Sequence, residues 1–439
     1  MKILHRLLIV VSLCLVALFI SPTLAAAPIP PIDPFTNYSN KRDLVVIISD
    51  LHLGADLDYA ELNDNTKPLE DFLEKVRVSP NINELVIAGD LVDEWFVPAN
   101  IDTYRGKDQA SFVKRVAATN KEVFDAFNRI IRDGNIKVTY IPGNHDIGVT
   151  AQQIESVLPG ITQARDNIQG LGTYSPADLP HIAIEHGHRY NFFCAPDPIS
   201  NQYVAPGTIM PPGYFFTRIA ALHVQQQCKT PGDTIPTVIP NSSGDKSQDL
   251  LYEYWKNWQW TLGIFPITNK FDEKIIVTNV NGFTGNYAVN DLLPFQSIHG
   301  GAIDVNLYKG IQDTWKERQK INHVAIDIPT DHAIKYVADP NELDNQAVIQ
   351  YFTNPNSDKR IVIFGHTHVA KIIASKNSAG KKTIYANSGT WIDHNPNNTT
   401  MNFLVISPQS SNPSSQTTVK LYNFQGEIVT QMAEESLRF

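Results

Sequence analysis

Residues 85–95 read Leu85-Val86-Ile87-Ala88-Gly89-Asp90-Leu91-Val92-Asp93-Glu94-Trp95. The run is apolar up to Ala88, breaks at a glycine, and then presents two aspartates three residues apart. A short aliphatic run that ends in Gly-Asp is typical of a buried strand in an α/β sheet, with polar chemistry at its carboxyl end. Asp90 is therefore the first candidate functional residue.

Four further apolar runs end in the same way, with aspartate, asparagine or histidine directly after the predicted strand. The blocks are Asp50-Leu51-His52 after strand 44–49, Gly143-Asn144-His145-Asp146 after strand 137–141, His186-Gly187-His188 after strand 182–185, and Gly365-His366-Thr367-His368 after strand 360–364. Carboxylate, amide and imidazole groups are ligands of hard and borderline metal ions, and no block contains a thiolate. Five such strand ends predict a metal site.

These blocks resemble the calcineurin-like metallophosphoesterase superfamily, whose pattern is Asp-x-His, Gly-Asp-x-x-Asp, Gly-Asn-His-Asp or Glu, a single His, and Gly-His-x-His. The resemblance covers about residues 41–190 and 356–400 and implies an α/β fold, a two-sheet β-sandwich flanked by helices. The blocks around Asp50, Asp90 and His366 are similar to the branch that contains the UDP-diacylglucosamine pyrophosphatases. The block His186-Gly187-His188 and the long insertion after it depart from that branch.

The resemblance implies two metal ions held by seven side chains. One ion would be bound by Asp50, His52 and His368, the second by Asn144, His186 and His366, and Asp90 would bridge them. Manganese, iron or zinc would each suit these oxygen and nitrogen ligands. The implied reaction is hydrolysis of a phosphate ester by a hydroxide that bridges the metals, so no protein nucleophile is required.

His145 is not needed as a ligand in this scheme, which frees it to protonate the leaving oxygen. Asp93 would orient it through the other ring nitrogen, and a purely structural role for His145 is the alternative. His188 and Arg189 are candidates for contact with substrate phosphate. Their alternatives are a histidine that the family does not need and an exposed surface arginine.

The amino-terminal residues are typical of a secretory signal peptide. Lys2 and Arg6 precede an apolar run, Leu7 to Ile20, and small residues follow as far as Ala27. A membrane span would need roughly 20 apolar residues, so cleavage near Ala25 is expected, with an uncleaved anchor as the alternative. We therefore expect an exported protein, periplasmic or extracellular, with no stable membrane span after cleavage.

The formal net charge is −9, and it becomes −11 when residues 1–25 are removed, because they contain Lys2 and Arg6 and no acidic residue. An acidic chain without Lys/Arg clusters is a poor candidate for binding nucleic acid. A small phosphorylated substrate is compatible with this charge, because bound metals reverse the local field. The sequence leaves the oligomeric state open.

Two cysteines, Cys194 and Cys228, lie outside the signal peptide. In an exported protein an even number of cysteines favours a disulfide, and two buried free thiols are the alternative.

Composition divides the chain into five segments. They are the signal peptide (1–25), a proline-rich extended leader (26–40), the first part of the core (41–190), a large inserted cap (191–355) and the second part of the core (356–439). Apolar spacing predicts a helix over 68–76, capped by Thr66, and a second over about 109–133, ended by Gly134. A third, short helix is predicted to follow a capping box of Thr150 and Gln153 and to end at about 158. The cap is expected to contain helices 248–262, 311–320 and 341–352, and strands 403–406 and 418–422 are expected to close a second sheet.

The aromatic residues of helix 248–262, Tyr252, Trp255 and Trp258, could contact the organic part of a substrate or belong to the core. The sequence as a whole predicts an exported, dinuclear metal-dependent phosphoesterase whose cap decides specificity. The alternatives are a pyrophosphatase acting on a nucleotide-sugar or lipid-linked substrate, and a non-catalytic binding protein on the same fold.

Overall fold

The apolar runs that end in Asp, Asn or His form central strands of two β-sheets. The computed structural model describes residues 33–410, 412 and 414–439, so the predicted signal peptide and the first part of the predicted leader lie outside the described residues. The described strands are β1 (Leu44–Ile48), β2 (Ile82–Ala88), β3 (Lys137–Ile141), β4 (Thr162–Gln163), β5 (Thr173–Tyr174), β6 (Ile182–Glu185), β7 (Ile276–Val277), β8 (Asn286–Tyr287), β9 (Phe295–Gln296), β10 (Ile303–Asp304), β11 (Ile361–Phe364), β12 (Lys371–Lys376), β13 (Lys382–Asn387), β14 (Asn402–Ser407), β15 (Thr417–Gln425) and β16 (Ile428–Leu437).

Nine α-helices occur within the described residues. They are α1 (Thr66–Val78), α2 (Gln109–Thr119), α3 (Lys121–Asp133), α4 (Ala151–Val157), α5 (Pro212–Gln226), α6 (Lys246–Ile264), α7 (Ile311–Ile321), α8 (Thr330–Lys335) and α9 (Pro340–Ala347). A π-helical turn, Val348–Phe352, continues α9. None of the helices described is long and apolar enough to cross a membrane.

The larger sheet has the order β16-β15-β14-β1-β2-β3-β4, and the smaller one has the order β12-β13-β11-β6-β5. Strands β1, β2 and β3 are parallel, as are β6 and β11. The carboxyl ends of parallel neighbours meet at the same edge of a sheet, where open α/β sheets bind ligands. The topology therefore places three of the blocks at one edge of the larger sheet and two at one edge of the smaller sheet.

The two sheets share an apolar core. Val45 and Ile47 of β1 pack in a cluster with Ile184 of β6 and other residues from both sheets. Val46 and Ile48 belong to a second cluster, which includes residues of helices α1 to α3. Successive side chains of a strand point to opposite faces, so β1 is apolar throughout because both its faces are covered. The architecture is a mixed α/β fold with two sheets flanked by helices.

Several element predictions require correction. Strands β14 and β15 extend the larger sheet beside β1, rather than closing a second sheet, because β14 pairs antiparallel with the free edge of β1. The predicted helix 109–133 is interrupted at Asn120, whose side chain donates to the carbonyls of Val116 and Gly54. Helix α1 begins at Thr66 instead of being capped by it, and its N-cap residue is Asn65.

Other local predictions are confirmed. Thr150 and Gln153 form a capping box at the start of α4, and Gly134 ends α3 in the left-handed conformation with φ of 68°. The three helices predicted in the insertion correspond to α6, α7 and α9 with its π-helical turn. Helices α5 and α8 and strands β12 and β16 were not predicted from the sequence.

The insertion packs with the core, since Asp33–Phe439 form one compact unit. Arg218 of α5 is a major point of attachment and is completely buried. Its guanidinium donates to the hydroxyl of Tyr214 and to the backbone carbonyls of Val97, Pro98, Ala99, Ile101 and Val277. The carbonyl dipoles thus stabilise the buried positive charge of Arg218. The same hydrogen bonds attach the loop after Trp95 to helix α5.

The expected disulfide is wrong, because Cys194 and Cys228 are both free thiols. Cys194 packs against the main apolar cluster, whereas the thiol of Cys228 donates to the carbonyl of Thr230 at 3.1 Å. The two sulfurs therefore have separate surroundings.

Candidate metal centre

The five blocks meet in a buried cluster of carboxylate, amide and imidazole groups. His368 Nε2 lies 3.2 Å from Asp50 Oδ1 and 3.2 Å from His52 Nε2. His52 Nε2 lies 3.6 Å from Asp90 Oδ2. Two atoms that bind the same metal ion are separated by roughly 3 to 3.5 Å. These four side chains are therefore spaced as ligands of one ion would be.

A second set of atoms converges on His186. Its Nε2 lies 3.1 Å from Asp90 Oδ2 and 3.0 Å from Asn144 Oδ1. Asp90 Oδ2 thus lies near imidazole nitrogens of both sets, the position expected of a bridging ligand. Asp50 Oδ1 is also central, since it lies 3.9 Å from both His52 Nε2 and His186 Nε2.

His366 completes the cluster beside His186, with 5.2 Å between the two ring centroids. Its backbone N–H donates to Asp50 Oδ1 at 3.1 Å, and its Nε2 lies 3.2 Å from Asn191 Nδ2. Burial lowers the pKa of His366 to about 3, so its imidazole is neutral and keeps a lone pair for a metal. The structure therefore brings together all seven residues that the sequence proposed as ligands.

The charge of the cluster also suits cations. Asp50 and Asp90 are 0% and 1% exposed, and their ion-pair partners within the described chain are histidines rather than lysine or arginine. Buried carboxylates without a permanent cation are costly, and a bound metal would offset that cost. The residues present thus fit a site for two metal ions.

Hydrogen bonds on the far side of two imidazoles direct their other nitrogens into the cluster. His186 Nδ1 donates to the carbonyl of Ala88 at 2.9 Å, which turns Nε2 toward Asp90 and Asn144. His52 Nδ1 lies 3.0 Å from Asp93 Oδ2 and 3.2 Å from Glu61 Oε2. Glu61 was missed in the sequence, because it belongs to no block and only the folded loop brings it to His52.

His145 lies next to this cluster and contacts Asp93 as expected. Its Nδ1 is 2.8 Å from Asp93 Oδ1, and the same oxygen accepts the backbone N–H groups of Trp95 and Phe96. Burial lowers the pKa of His145, but the charges of Asp93 and Asp90 and the hydrogen bond to Asp93 together outweigh burial, so the pKa lies above its ordinary value. The protonated imidazole of His145 is therefore favoured over the neutral one.

Five of the seven proposed ligands have left-handed backbone conformations. Their φ angles lie between 46° and 68°, and the residues are Asp50, His52, Asp90, His366 and His368. Residues other than glycine adopt this region rarely, and such strain collects at functional sites. Each turn redirects the chain at the end of its strand and places the side chain in the cluster.

Two glycines of the blocks permit the close approach of these loops. A Cβ at Gly89, whose φ is 94°, would lie 2.2 Å from His186 Nδ1. A Cβ at Gly143 would lie 2.0 Å from Asp90 Oδ1. Any side chain at either position would displace a proposed ligand.

Asp146 joins two of the loops. One of its oxygens accepts the backbone N–H of Leu91 at 2.9 Å, and the other accepts that of Gly143 at 2.7 Å. It therefore links the turn after β2 to the turn after β3.

His188 and Arg189 lie deeper than the sequence suggested. His188 Nε2 is 3.0 Å from the carbonyl of Gly170, and burial holds the pKa of His188 well below its ordinary value. Arg189 is buried and forms ion pairs of 2.7 Å with both Glu185 and Asp166. Arg189 is thus a buried ion-pair partner, not an exposed surface arginine, and substrate contact by either residue stays a prediction.

A cavity of about 690 Å³ adjoins the cluster, and its lining includes His52, His145 and His368. Trp258 of α6 is completely buried and Trp255 is 5% exposed, so both belong to the core. The aromatic residue of α6 that lines the cavity is instead Trp260. Helix α5, which was not predicted, lines another side.

The family model described as calcineurin-like phosphoesterase matches residues 44–215. The matched segment includes Asp50, His52, Asp90, Asn144 and His186 and ends before His366 and His368. No curated protein matches the sequence. Residues 44–215 are thus similar to calcineurin-like phosphoesterases, and four of the five blocks lie within them.

Proposed function

We propose that the protein is an exported, dinuclear metal-dependent phosphoesterase. The observation that carries the proposal is the position of Asp90 Oδ2, 3.6 Å from His52 Nε2 and 3.1 Å from His186 Nε2. One carboxylate shared by two sets of ligands is the arrangement that a dinuclear centre needs. Two ions bound there would activate water and stabilise negative charge on the phosphoryl oxygens.

We divide the ligands between the two ions as the family resemblance implies. Asp50, His52 and His368 would hold one ion, and Asn144, His186 and His366 would hold the other, with Asp90 between them. Manganese, iron or zinc would suit these ligands.

His145 would protonate the leaving oxygen of the substrate. Asp93 occupies Nδ1 of the imidazole, so Nε2 is the nitrogen that can transfer a proton outward. The raised pKa of His145 favours the form that carries this proton.

Export is proposed from the sequence of residues 1–25, in which two basic residues precede an apolar run and small residues. A pyrophosphatase that acts on a nucleotide-sugar or lipid-linked substrate is the second candidate function. It is favoured by the similarity of three blocks to the UDP-diacylglucosamine pyrophosphatase branch.

Metal analysis and a substrate panel test the proposal. The mature chain, stripped with a chelator and then reloaded with Mn²⁺, Fe²⁺ or Zn²⁺, is assayed with aryl phosphate monoesters, aryl phosphate diesters and a diester of pyrophosphate. We expect about two ions per chain and hydrolysis that returns with the metal. Preference for the pyrophosphate substrate would favour the second candidate. Two bound ions without turnover of any substrate would indicate a binding protein.

A further inference from the structure

A cavity beside the proposed metal centre is lined by residues of both the core and the insertion. His52, His145 and His368 contribute to its lining. A phosphate at the metal centre would therefore have its ester group in this cavity. A volume of about 690 Å³ is within the range that holds small-molecule ligands.

One wall is formed by a single face of helix α5. Phe216, Thr217, Ala220 and Val224 line the cavity, and their spacing of one, four and eight residues brings them to one side of a helix. Trp260 and Thr261, near the end of α6, and Phe265, just after it, form a neighbouring wall. Phe96 and Ile392 are further apolar contributors from the core.

Contacts with buried residues hold the α5 wall of the cavity in place. The ring of Phe216 stacks on the completely buried Trp258, with ring centroids 3.9 Å apart and an angle of 12° between the planes. The buried face of α5 is fixed in addition by Arg218. The wall is thus preformed, which lowers the entropic cost of binding a ligand there.

Large apolar side chains remain exposed in this cavity. Val224 is 48% exposed and Trp260 is 54% exposed. Apolar surface gathered in a concave site, next to polar groups, is typical of ligand binding. A bound apolar group would remove both side chains from water.

The charged side chains of the lining do not favour anions. Asp58, Glu61 and Asp393 are acidic, and no lysine or arginine of the described chain lines the cavity. Asp393 is already engaged, since it accepts the backbone N–H groups of Asn63, Asp64 and Asn65. An ester group that carried further phosphates would find no lysine or arginine among the described residues of this lining.

We propose that this cavity binds an uncharged apolar group esterified to the substrate phosphate. The cavity is called the apolar chamber below, and its apolar lining consists of Phe96, Phe216, Ala220, Val224, Trp260, Phe265 and Ile392. The inference rests on the proposed function, because the metal centre is what holds the phosphate. The expected substrates are alkyl or aryl phosphoesters, and nucleotides are disfavoured.

Binding of non-hydrolysable phosphonates tests the chamber separately from catalysis. Calorimetry on the Mn²⁺-loaded mature chain compares ethylphosphonate, hexylphosphonate, phenylphosphonate and a non-hydrolysable phosphonate analogue of uridine 5′-monophosphate. Each buried methylene contributes up to about a fourfold change in affinity, so hexylphosphonate should bind at least tenfold more tightly than ethylphosphonate. The phenyl compound then distinguishes an aryl from an alkyl preference. Equal affinity for the ethyl and hexyl compounds, absence of binding by both, or tightest binding of the nucleotide would overturn the proposal.

A matched pair of variants locates the effect. Trp260→Ala should remove most of the preference for the hexyl over the ethyl compound, because it deletes exposed apolar surface of the chamber. Ile298→Ala is the control, since Ile298 is 75% exposed in the insertion and is not part of the chamber. A preference unchanged in Trp260→Ala would contradict the assignment. If hexylphosphonate binds tightly but no phosphoester is hydrolysed, the chamber stands and the proposed function fails.

Discussion

Asp93 Oδ1 lies 2.8 Å from His145 Nδ1, while its other oxygen lies 3.0 Å from Nδ1 of His52. One carboxylate thus orients the expected proton donor and also a proposed metal ligand. Backbone N–H groups of Trp95 and Phe96 hold Asp93 itself. Asp93 therefore couples the orientation of the proton donor to that of a metal ligand. Substitutions at His145 and at Asp93 should separate these two roles.

His145→Ala is expected to slow hydrolysis of alkyl phosphates by about 10² to 10⁴-fold and of activated aryl phosphates far less. Poor leaving groups need a proton, whereas a nitrophenolate does not. Steady-state kinetics with a series of leaving groups, together with metal analysis, measures the difference. Equal losses on both kinds of substrate would indicate that His145 is structural.

Asp93→Asn is expected to shift the pH profile. The raised pKa of His145 depends on the charge of Asp93, so its removal lowers that pKa. With His145 as the proton donor, activity on alkyl phosphates would require the protonated imidazole and would be lost as pH rises through this pKa. The loss should therefore occur at lower pH in the variant than in the wild type, with metal content checked at each pH. An unchanged descending limb would separate Asp93 from proton transfer.

Asp90→Asn is expected to reduce both the metal content and kcat/KM, the latter by about 10²-fold or more, because in the proposed centre Asp90 would bind both ions. Asp178→Asn is a matched control at an exposed aspartate. Metal content is measured by elemental analysis after gel filtration. Two ions per chain and near-native turnover in Asp90→Asn would rule out the bridging role.

Glu94 is expected to make stability depend on pH. The residue is completely buried, it accepts hydrogen bonds from Tyr104 and Gln109, and burial raises the pKa of Glu94 to about 7. A carboxyl group whose pKa is higher in the folded state destabilises the fold as pH rises from the unfolded to the folded pKa.

Glu94→Gln should remove this dependence. Between about pH 4.5 and pH 7, the wild type should lose roughly 3 kcal/mol of stability relative to the variant. Urea unfolding of both metal-loaded proteins at pH 5 and pH 8 measures the change, with Glu427→Gln as an exposed control. A difference between wild type and variant that stays constant with pH would contradict the prediction.

Arg218→Met should destabilise the protein by about 3 kcal/mol or more, because several buried carbonyls would lose a charged donor. The loop that contains Phe96 would also lose its attachment to α5. Urea unfolding compares this variant with Arg132→Met, which changes an exposed arginine. A loss below about 1 kcal/mol would show that packing alone holds the insertion to the core.

Much of the fold could be predicted because its signals are local. The predicted strand 137–141 coincides with β3, and the capping box at Thr150 depends on residues only three apart. Helix α5 was missed since nine of its fifteen residues are buried, among them Tyr214, Phe215 and Ile219, so that no single apolar stripe marks it. The pairing of β14 with β1 depends on which edge of the sheet is free. A local sequence pattern does not indicate which edge that is.

The sequence by itself determined which side chains end the strands, because an apolar run followed by Gly-Asp or Gly-His is a property of neighbouring residues. It thereby put all seven proposed ligands at strand ends, and the resemblance to the calcineurin-like superfamily is what distinguishes them from the other polar residues of the blocks. Only the tertiary structure decided that Glu61 reaches His52, that Trp260 rather than Trp258 lines the cavity, and that both cysteines stay free. These outcomes depend on packing between segments far apart in the chain, and the free energy of such packing is set by whole surfaces rather than by any local stretch.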